Sequence, residues 1–493
     1  MWIQTTFALS LVVAFAAAAI ESNPARPVLF GSGRTAPPRQ LPSDNVIDNG
    51  NYTEWHTFDQ RQSHSNAHSV DMFPMRYVSN SKFYRPGGPI FVFVGGPWEL
   101  EQHFVEQGHF VDLAEQNNAY VVANEMRYYG ESLPLPNASR GNLRLLHIVQ
   151  ACTDLARFIV HIRDEVLRTP NARIILAGVG FSGSLASWTR LRYPHLIHGI
   201  WASGAMMQAS TNFREFAEEV GEYIRRYGGS ECYGALWRGF RTAENLIDAG
   251  QSQTVNTMFN VCTPINATNP LDVEAFFYGI FNEVVENTLR PNLRTNIRNM
   301  CDTLTHADHD SGLTALASWI TDRFPEAECL AMDLDSVVQL FQETDWQHDV
   351  HKSGERQWFY QRCTELGWPL TADSMNQPFG VRISANLFQQ ICQRVFDGWL
   401  TEDVFQSLVR QTNILYGGNR PEMRFVFYTH GSLDPWRFTG ITEVLYNNNY
   451  VNVIRGAIHG EDMASISDSD WADLRNSKEE VGVAIRSWID RRV

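Results

Sequence analysis

The sequence predicts an α/β fold in which a mostly parallel sheet, covered by helices on both faces, is interrupted by a helical insertion. Between residues 88 and 205, short runs rich in Val, Ile and Phe alternate with amphipathic helical stretches, the pattern of a parallel sheet with crossover helices. Between residues 211 and 412, this alternation nearly disappears and apolar residues recur at helical spacing. Strand-like runs return after residue 415, so the helical block is predicted to be inserted into one core.

The first part of the core, residues 45–210, contains the predicted strands "GPIFVFVGG", "AYVVANEMRYYG" and "ARIILAGVG", with the predicted helices "HFVDLAEQ" and "DLARFIVHIRDEVL" between them. The insertion, residues 211–412, contains helical segments such as "NFREFAEEVGEYIRRY" and "DVEAFFYGIFNEVVENTLR". The second part of the core, residues 413–493, begins with "MRFVFYTHGSLDPW" and "YVNVIRGAIHG" and closes with the helix "SKEEVGVAIRSWIDRR". This order predicts a helical cap on an α/β core.

The composition excludes a disordered chain, because 44% of the 493 residues are hydrophobic, 12% are aromatic and only 19% are charged. The formal net charge is −15, with acidic and basic residues mixed along the chain. This distribution predicts neither a nucleic-acid partner nor binding to an anionic membrane surface. We also expect no cofactor.

Residues 1–19 are predicted to be a secretory signal peptide. The apolar run "TFALSLVVAFAAAA", residues 6–19, ends in small residues and is short for a membrane span. We expect cleavage after Ala19 and a mature protein that is secreted or lysosomal. The alternative, a membrane anchor, is disfavoured because polar residues follow and no other run reaches the ~18 apolar residues that a span requires.

Three sequons and a cluster of cysteines agree with export. The sequon asparagines are Asn51, Asn137 and Asn266. Six of the seven cysteines lie in the predicted insertion: Cys232, Cys262, Cys301, Cys329, Cys363 and Cys392. Such a cluster predicts a disulfide-bonded subdomain, and six cysteines permit fifteen pairings. Metal binding is the alternative, but no CxxC or CxxH pair occurs, so we predict no metal site. Cys152, in a helical run, is expected to be a buried free thiol.

The stretch "RIILAGVGFSGSLASWTRLRYPH", residues 173–195, predicts a strand, a glycine-rich turn and a helix. In α/β-hydrolases this arrangement, G-x-S-x-G, presents the nucleophilic serine, and an acid and a histidine follow in chain order after later strands. Asp434 and His459 follow the two later predicted strands. The turn itself reads "GVGFSG" and has glycine, Gly180, at its apex.

The chain resembles the prolylcarboxypeptidase family, which includes lysosomal Pro-X carboxypeptidase, quiescent-cell proline dipeptidase and thymus-specific serine protease. The resemblance spans roughly residues 55–485, and the matching pieces are "GPIFVFVGG", "EMRYYGESLP", "ASWTRLRYPH", "RQWFYQRCTELG", "GSLDPW" and "IHGEDM". It implies an α/β-hydrolase core with a disulfide-bonded helical cap and, in active members, an exopeptidase that cleaves near proline. It also implies the disulfides Cys232–Cys301, Cys262–Cys329 and Cys363–Cys392.

Matched to the family's motifs, Asp434 corresponds to the acid of the catalytic triad, His459 to the general base and Gly180 to the nucleophilic serine. Glycine relieves the backbone strain of such a turn but removes the hydroxyl. Without a nucleophile, His459 has nothing to activate. The pair Asp434 and His459 is then either a structural relic or a remnant of the catalytic site.

Other departures from the family cluster around the same turn. Val179 and Ser182 replace turn glycines, Pro97-Trp98 replaces Glu-Gly on the oxyanion side, and Met126 stands where the family commonly has histidine. The resemblance further implies that Trp436 and Ser184 belong to the proline-binding pocket. Trp358 and Glu365 are predicted to face the cleft from the cap. Plain packing is the alternative for Trp436, Trp358 and Glu365.

Two functions follow from these residues. The first is an inactive or impaired peptidase homologue that binds peptides, including proline-containing ones, in its cleft. The second is an active carboxypeptidase or dipeptidyl peptidase in which Ser182 substitutes as the nucleophile. Ser182 lies two residues past the apex, and its expected role is to satisfy a free backbone N–H at the start of the helix. The sequence leaves monomer and homodimer open.

Overall fold

The computed structural model describes residues 52–66, 70–307 and 311–491 of the chain, together with the backbone of residues 25–27. The predicted signal peptide, residues 1–19, and the sequon residue Asn51 lie outside these ranges. The described strands are β1 (Ala25–Pro27), β2 (Thr53–Arg61), β3 (Met72–Asn80), β4 (Ile90–Phe93), β5 (Tyr120–Asn124), β6 (Ile174–Val179), β7 (Gly199–Ser203), β8 (Cys329–Ala331), β9 (Val426–Gly431) and β10 (Tyr450–Ile454).

Eight of these strands form one sheet in the order β10-β9-β7-β6-β4-β5-β3-β2, and β1 pairs separately with β8. The six strands from β10 to β5 are parallel, whereas β3 pairs antiparallel with both β5 and β2. Every residue of β4 and β6 is buried, as expected for central strands covered on both faces.

The helices are α1 (His103–Glu106), α2 (His109–Gln116), α3 (Arg140–Leu143), α4 (Ile148–Val160), α5 (Phe181–Arg192), α6 (Arg214–Asp248), α7 (Ser252–Met258), α8 (Pro270–Leu289), α9 (Leu293–Leu304), α10 (Gly312–Asp322), α11 (Leu334–Gln342), α12 (Asp349–Lys352), α13 (Glu355–Gln361), α14 (Ala385–Val395), α15 (Glu402–Tyr416) and α16 (Ala472–Asp490). A π-helical turn, Arg362–Leu366, extends α13, and another, His161–Val166, extends α4. Short 3-10 helices occur at Pro435–Thr439 and Glu461–Met463.

The core has one apolar layer on each face of the sheet. Side chains of β6 alternate between them: Ile175, Ala177 and Val179 pack in the layer that also contains residues of α2 and α16. Ile174 and Leu176 belong to the layer that contains α4, α5 and the cap. The architecture is therefore an α/β-hydrolase core, as the sequence predicts.

The helices from α6 to α15 form the cap, between β7 and β9. Three disulfides cross-link it: Cys232–Cys301 joins α6 to α9, Cys262–Cys329 joins the segment after α7 to β8, and Cys363–Cys392 joins the π-helical turn to α14. These are the pairings that the family resemblance implies. Cys152 is a buried free thiol, and burial raises its pKa to about 12.

Parallel strands place their carboxyl ends at one edge of the sheet, where open α/β folds bind ligands. Gly95, Gly180, Gly204, Asp434 and His459 follow β4, β6, β7, β9 and β10 respectively. The fold thus gathers the turn, the acid and the histidine at a single edge. In the described part of the chain, no helix is both long and apolar enough to cross a bilayer.

Candidate active site

Gly180 occupies the apex of the turn between β6 and α5. Its backbone angles are φ 57° and ψ −126°, and its N–H donates to the carbonyl of Ser203 at 2.8 Å. A residue with a side chain would be strained at this positive φ, at a cost of about 1–3 kcal/mol. Glycine adopts the conformation without that penalty. The strained turn of a nucleophile elbow is therefore retained without its hydroxyl.

The turn remains tight because two glycines let the helix approach the strand. A Cβ built on Gly178 would lie 2.6 Å from the carbonyl carbon of Ser182, and one on Gly183 would lie 2.9 Å from the carbonyl oxygen of Gly178. Larger residues at either position would push α5 off the end of β6.

Ser182 turns its hydroxyl back onto the strand. The Ser182 Oγ accepts a hydrogen bond from the N–H of Val179 at 2.8 Å and donates to the carbonyl of the same residue at 3.0 Å. The side chain is fully buried. The serine bonds a backbone N–H, as expected, but that N–H belongs to the end of β6 rather than to the first turn of the helix.

Asp434 and His459 form a hydrogen-bonded pair. The Oδ2 of Asp434 lies 2.7 Å from the Nδ1 of His459, and the other carboxylate oxygen accepts from the N–H of Trp436 at 3.0 Å. The carboxylate is fully buried and the imidazole side chain is 10% exposed. This is the acid–base arrangement of a serine hydrolase, in which the acid orients the imidazole.

The neighbourhood of His459 was not foreseen from sequence. A Cβ on Gly204 would lie 2.5 Å from the Cε1 of His459, so the ring packs directly on that glycine. The hydroxyl of Ser203, the last residue of β7, donates a 2.5 Å hydrogen bond to the carboxylate of Asp462. This bond holds the loop that carries His459 against β7. The sequence shows the carboxylate of Asp462 three residues after His459, but it does not show that Ser203 is its partner.

A second histidine, His430 in β9, lies close enough to Asp434 and His459 to interact with their charges. Burial lowers the pKa of His430 to about 4, so this imidazole is neutral near neutral pH. Its Nε2 bonds the carbonyl of Ile441 at 3.0 Å. It therefore adds no positive charge beside Asp434 and His459.

The loop after β4 lies where α/β-hydrolases place one of the oxyanion donors. In α/β-hydrolases, one oxyanion donor is the N–H after the nucleophile, here that of Phe181, and another comes from the loop after the strand corresponding to β4. Pro97 in that loop has no N–H to donate. A Cβ on Gly96 would lie 2.1 Å from the Trp98 ring, so the indole covers that glycine. The Trp98 side chain therefore folds back over Gly96 of its own loop, the loop that would supply the second donor.

The predicted pocket residues lie in a cluster of aromatic side chains. The Trp436 ring centroid lies 5.5 Å from that of Phe213 and 5.6 Å from that of Trp368. Trp358 contacts Trp368 at 6.1 Å and Phe181 at 5.3 Å, again between ring centroids. Trp358 and Trp436 are each only 1% exposed, so their present contacts are with other rings.

Ser184, Met126 and Glu365 are also buried. Ser184 donates to the carbonyls of Met206 and Gly180, at 2.8 and 3.2 Å, beneath the turn. The Ser184 hydroxyl is thus bonded within the fold.

Glu365 joins the cap to the core at the start of α4. Its carboxylate accepts from the N–H of Ile148 at 3.0 Å and lies 3.2 Å from the Nδ1 of His147. A carboxylate is favoured at a helix N-terminus, where backbone N–H groups are free. Burial opposes protonation of His147, but the hydrogen bond and charge of Glu365 outweigh it and raise its pKa.

Among the described residues, no group of three or more His, Cys, Asp or Glu side chains is arranged to hold a metal ion. The groups gathered at the sheet edge are the glycine-apex turn at Gly180 and the hydrogen-bonded pair Asp434 and His459.

Comparison with known proteins identifies similar chains. A sequence model of the family described as serine carboxypeptidase S28 matches residues 60–481. Thymus-specific serine protease of Homo sapiens is 27% identical over 473 residues, covering 93% of this chain and 88% of that protein. The protein of the same name from Mus musculus is 29% identical over 443 residues, 86% and 85% of the two chains. Lysosomal Pro-X carboxypeptidase of Homo sapiens is 24% identical over 436 residues, with 82% of each chain covered.

Proposed function

The chain belongs to the serine carboxypeptidase S28 family, and from this premise we propose that it is a catalytically impaired or inactive member that binds peptides. The observation that carries the proposal is Gly180 at the apex of the turn, beside an intact Asp434–His459 pair. Loss of the serine from a comparable triad costs roughly a million-fold in turnover. The site retains its orienting groups and lacks the atom that they would activate.

The geometry of Ser182 opposes the alternative of an active peptidase with a substitute nucleophile. Both hydrogen bonds of its hydroxyl are made to the backbone of Val179. The side chain is fully buried. To attack a substrate, Ser182 would have to break both bonds and leave its position under the turn.

Peptide binding is supported by the chemistry of the aromatic cluster. Trp358 and Trp436 are flat apolar rings of the kind that proline packs against, although each is covered by other rings in this structure. The Nε1 of Trp358 is buried and has no hydrogen-bond partner among the described residues. A buried donor without a partner is costly, and a peptide carbonyl would satisfy it. We therefore propose that a proline-containing peptide is the ligand.

We further propose that the protein travels through the secretory pathway and is secreted or lysosomal. The signal-like run at residues 6–19 and the three disulfides support this, because disulfides persist mainly in oxidising compartments. The sequon residues Asn137 and Asn266 are exposed, as glycosylation requires.

Binding without turnover is the expected result when a proline-containing peptide is titrated into the purified protein. Calorimetry should detect a complex, and mass spectrometry should recover the peptide intact. Trp358→Phe keeps a ring but removes the N–H, so it should weaken binding roughly three- to tenfold. Trp237→Phe, at a half-exposed position in the cap, is the matched control and should bind as the parent does.

Two results would oppose the proposal. Cleavage of the peptide at rates comparable with active relatives would remove the claim of impaired catalysis. If no complex forms, or if the Trp358→Phe variant and the parent bind the peptide with equal affinity, the peptide-binding site is not at Trp358.

A further inference from the structure

A cavity of about 280 Å³ lies beside the loop that carries His459. Its walls come from three separate parts of the chain. The core supplies Phe93 at the end of β4 and residues at and beside α1 and α2, and the cap supplies Pro291 and Asn292. The histidine loop supplies Ile458, Gly460, Glu461, Met463 and Ala464. Ligand pockets occur preferentially at such junctions between structural units.

The cavity lies on the opposite side of the sheet from the aromatic cluster described above. Phe93, Phe104 and Met463 belong to the apolar layer that contains α2 and α16. Trp358 and Trp436 belong to the other layer. The cavity is therefore separate from the aromatic cluster. It is nevertheless lined by Ile458 and Gly460, the two residues next to His459 in the chain.

The lining is suited to an aromatic ring. The rings of Phe93 and Phe104 are stacked with centroids 4.7 Å apart, and Phe110 is tilted against Phe93 at 6.5 Å. An apolar protein cavity of about 150 Å³ holds a benzene molecule. A volume of about 280 Å³ is therefore sufficient for two fused rings.

The lining also contains the polar side chains of His103, Gln107 and Asn292, and Glu461 is its one carboxylate. Glu461 lines the cavity and its Oε2 accepts from the N–H of Ile458 at 2.8 Å, which fixes the side chain in place. A carboxylate oxygen accepts hydrogen bonds. A ligand that combines a bicyclic apolar ring with a single N–H donor matches both the walls and the acceptor.

We propose that this cavity is a binding site for an indole ring, supplied by a tryptophan side chain of the peptide ligand. The inference rests on the proposed peptide binding and specifies what that peptide carries. A ligand held at both places would have its proline near Trp436 and its tryptophan beside Phe104.

The test uses free indole as the probe, titrated into the full-length protein and followed by calorimetry. Ala464, which lines the cavity, is replaced by tryptophan so that the new ring fills the space. Ala464→Trp should weaken indole binding at least tenfold. Ala472→Trp, at an exposed position outside the lining, should leave it unchanged. Ala464→Phe serves as a smaller filling variant if circular dichroism shows that Ala464→Trp is misfolded.

Equal indole binding by the parent and the filled variants, or no binding by the parent at millimolar indole, would overturn the inference. The peptide arm compares a proline-containing peptide with and without tryptophan. A preference for tryptophan that disappears in Ala464→Trp supports the site. If neither peptide binds while indole does, the proposed function fails and the cavity remains an indole site.

Discussion

Gly180→Ser is expected to give measurable hydrolysis of a proline-containing peptide and to make the protein less stable. The substitution restores the third member of a triad whose other two members, Asp434 and His459, are already hydrogen-bonded at 2.7 Å. Serine must adopt φ near 57°, so we expect a loss of about 1–3 kcal/mol in the free energy of unfolding. Peptide turnover and thermal unfolding, measured on the same preparation, check both effects.

Recovery in Gly180→Ser should be partial because the loop that would supply the second oxyanion donor contains Pro97 and Trp98. Pro97 lacks a donor and Trp98 covers Gly96. Adding Pro97→Glu and Trp98→Gly to Gly180→Ser should raise turnover by a further ~10²- to 10³-fold, the usual value of one oxyanion donor. His459→Ala in the same background is the control and should abolish the gained activity. A folded Gly180→Ser variant that is inert and as stable as the parent would show that residue 180 is not the apex.

Arg127→Met is expected to lower the free energy of unfolding by about 3 kcal/mol or more. The Arg127 guanidinium is fully buried and contacts both carboxylate oxygens of Asp154, at 2.5 and 2.7 Å. Removing it leaves a buried carboxylate that has lost its main partner, a change that typically costs 3–5 kcal/mol. The Nε2 of His64 lies 2.7 Å from the same carboxylate and remains as a partner in the variant, which limits the loss. Urea unfolding with the disulfides intact provides the measurement.

Arg382→Met is the matched control for this prediction. Arg382 also pairs with an aspartate, Asp248, but the two side chains are 38% and 56% exposed. Exposed pairs contribute about 1 kcal/mol or less. If the two methionine variants unfold at the same urea concentration, the Arg127–Asp154 pair is not the buried element described above.

Local pattern was sufficient to predict the sheet edge at which the site lies. The runs that form β4 and β6 are continuously apolar, which indicates central strands, and Asp434 and His459 follow the later strands β9 and β10. Because parallel strands end at one edge, their order along the chain already brings Gly180, Asp434 and His459 together.

Contacts between distant segments could not be predicted in this way. The bonds from Ser203 to Asp462 and from Ile148 to Glu365 join residues 259 and 217 positions apart. They depend on how the loops and the cap pack on the core, and the hydrophobic periodicity of the sequence contains no information on that packing. The position of Trp98 over Gly96 depends on a side-chain rotamer. The disulfide pairing was one of fifteen and came from resemblance alone.

Labelling with a serine-directed fluorophosphonate, followed by intact-mass spectrometry and peptide mapping, tests most directly whether the site lacks a nucleophile. Such reagents react with an activated serine hydroxyl. The parent protein should remain unlabelled under conditions that label an active relative, and Gly180→Ser should gain one label at residue 180. Stoichiometric labelling of the parent at Ser182 would contradict the proposal and establish a substitute nucleophile.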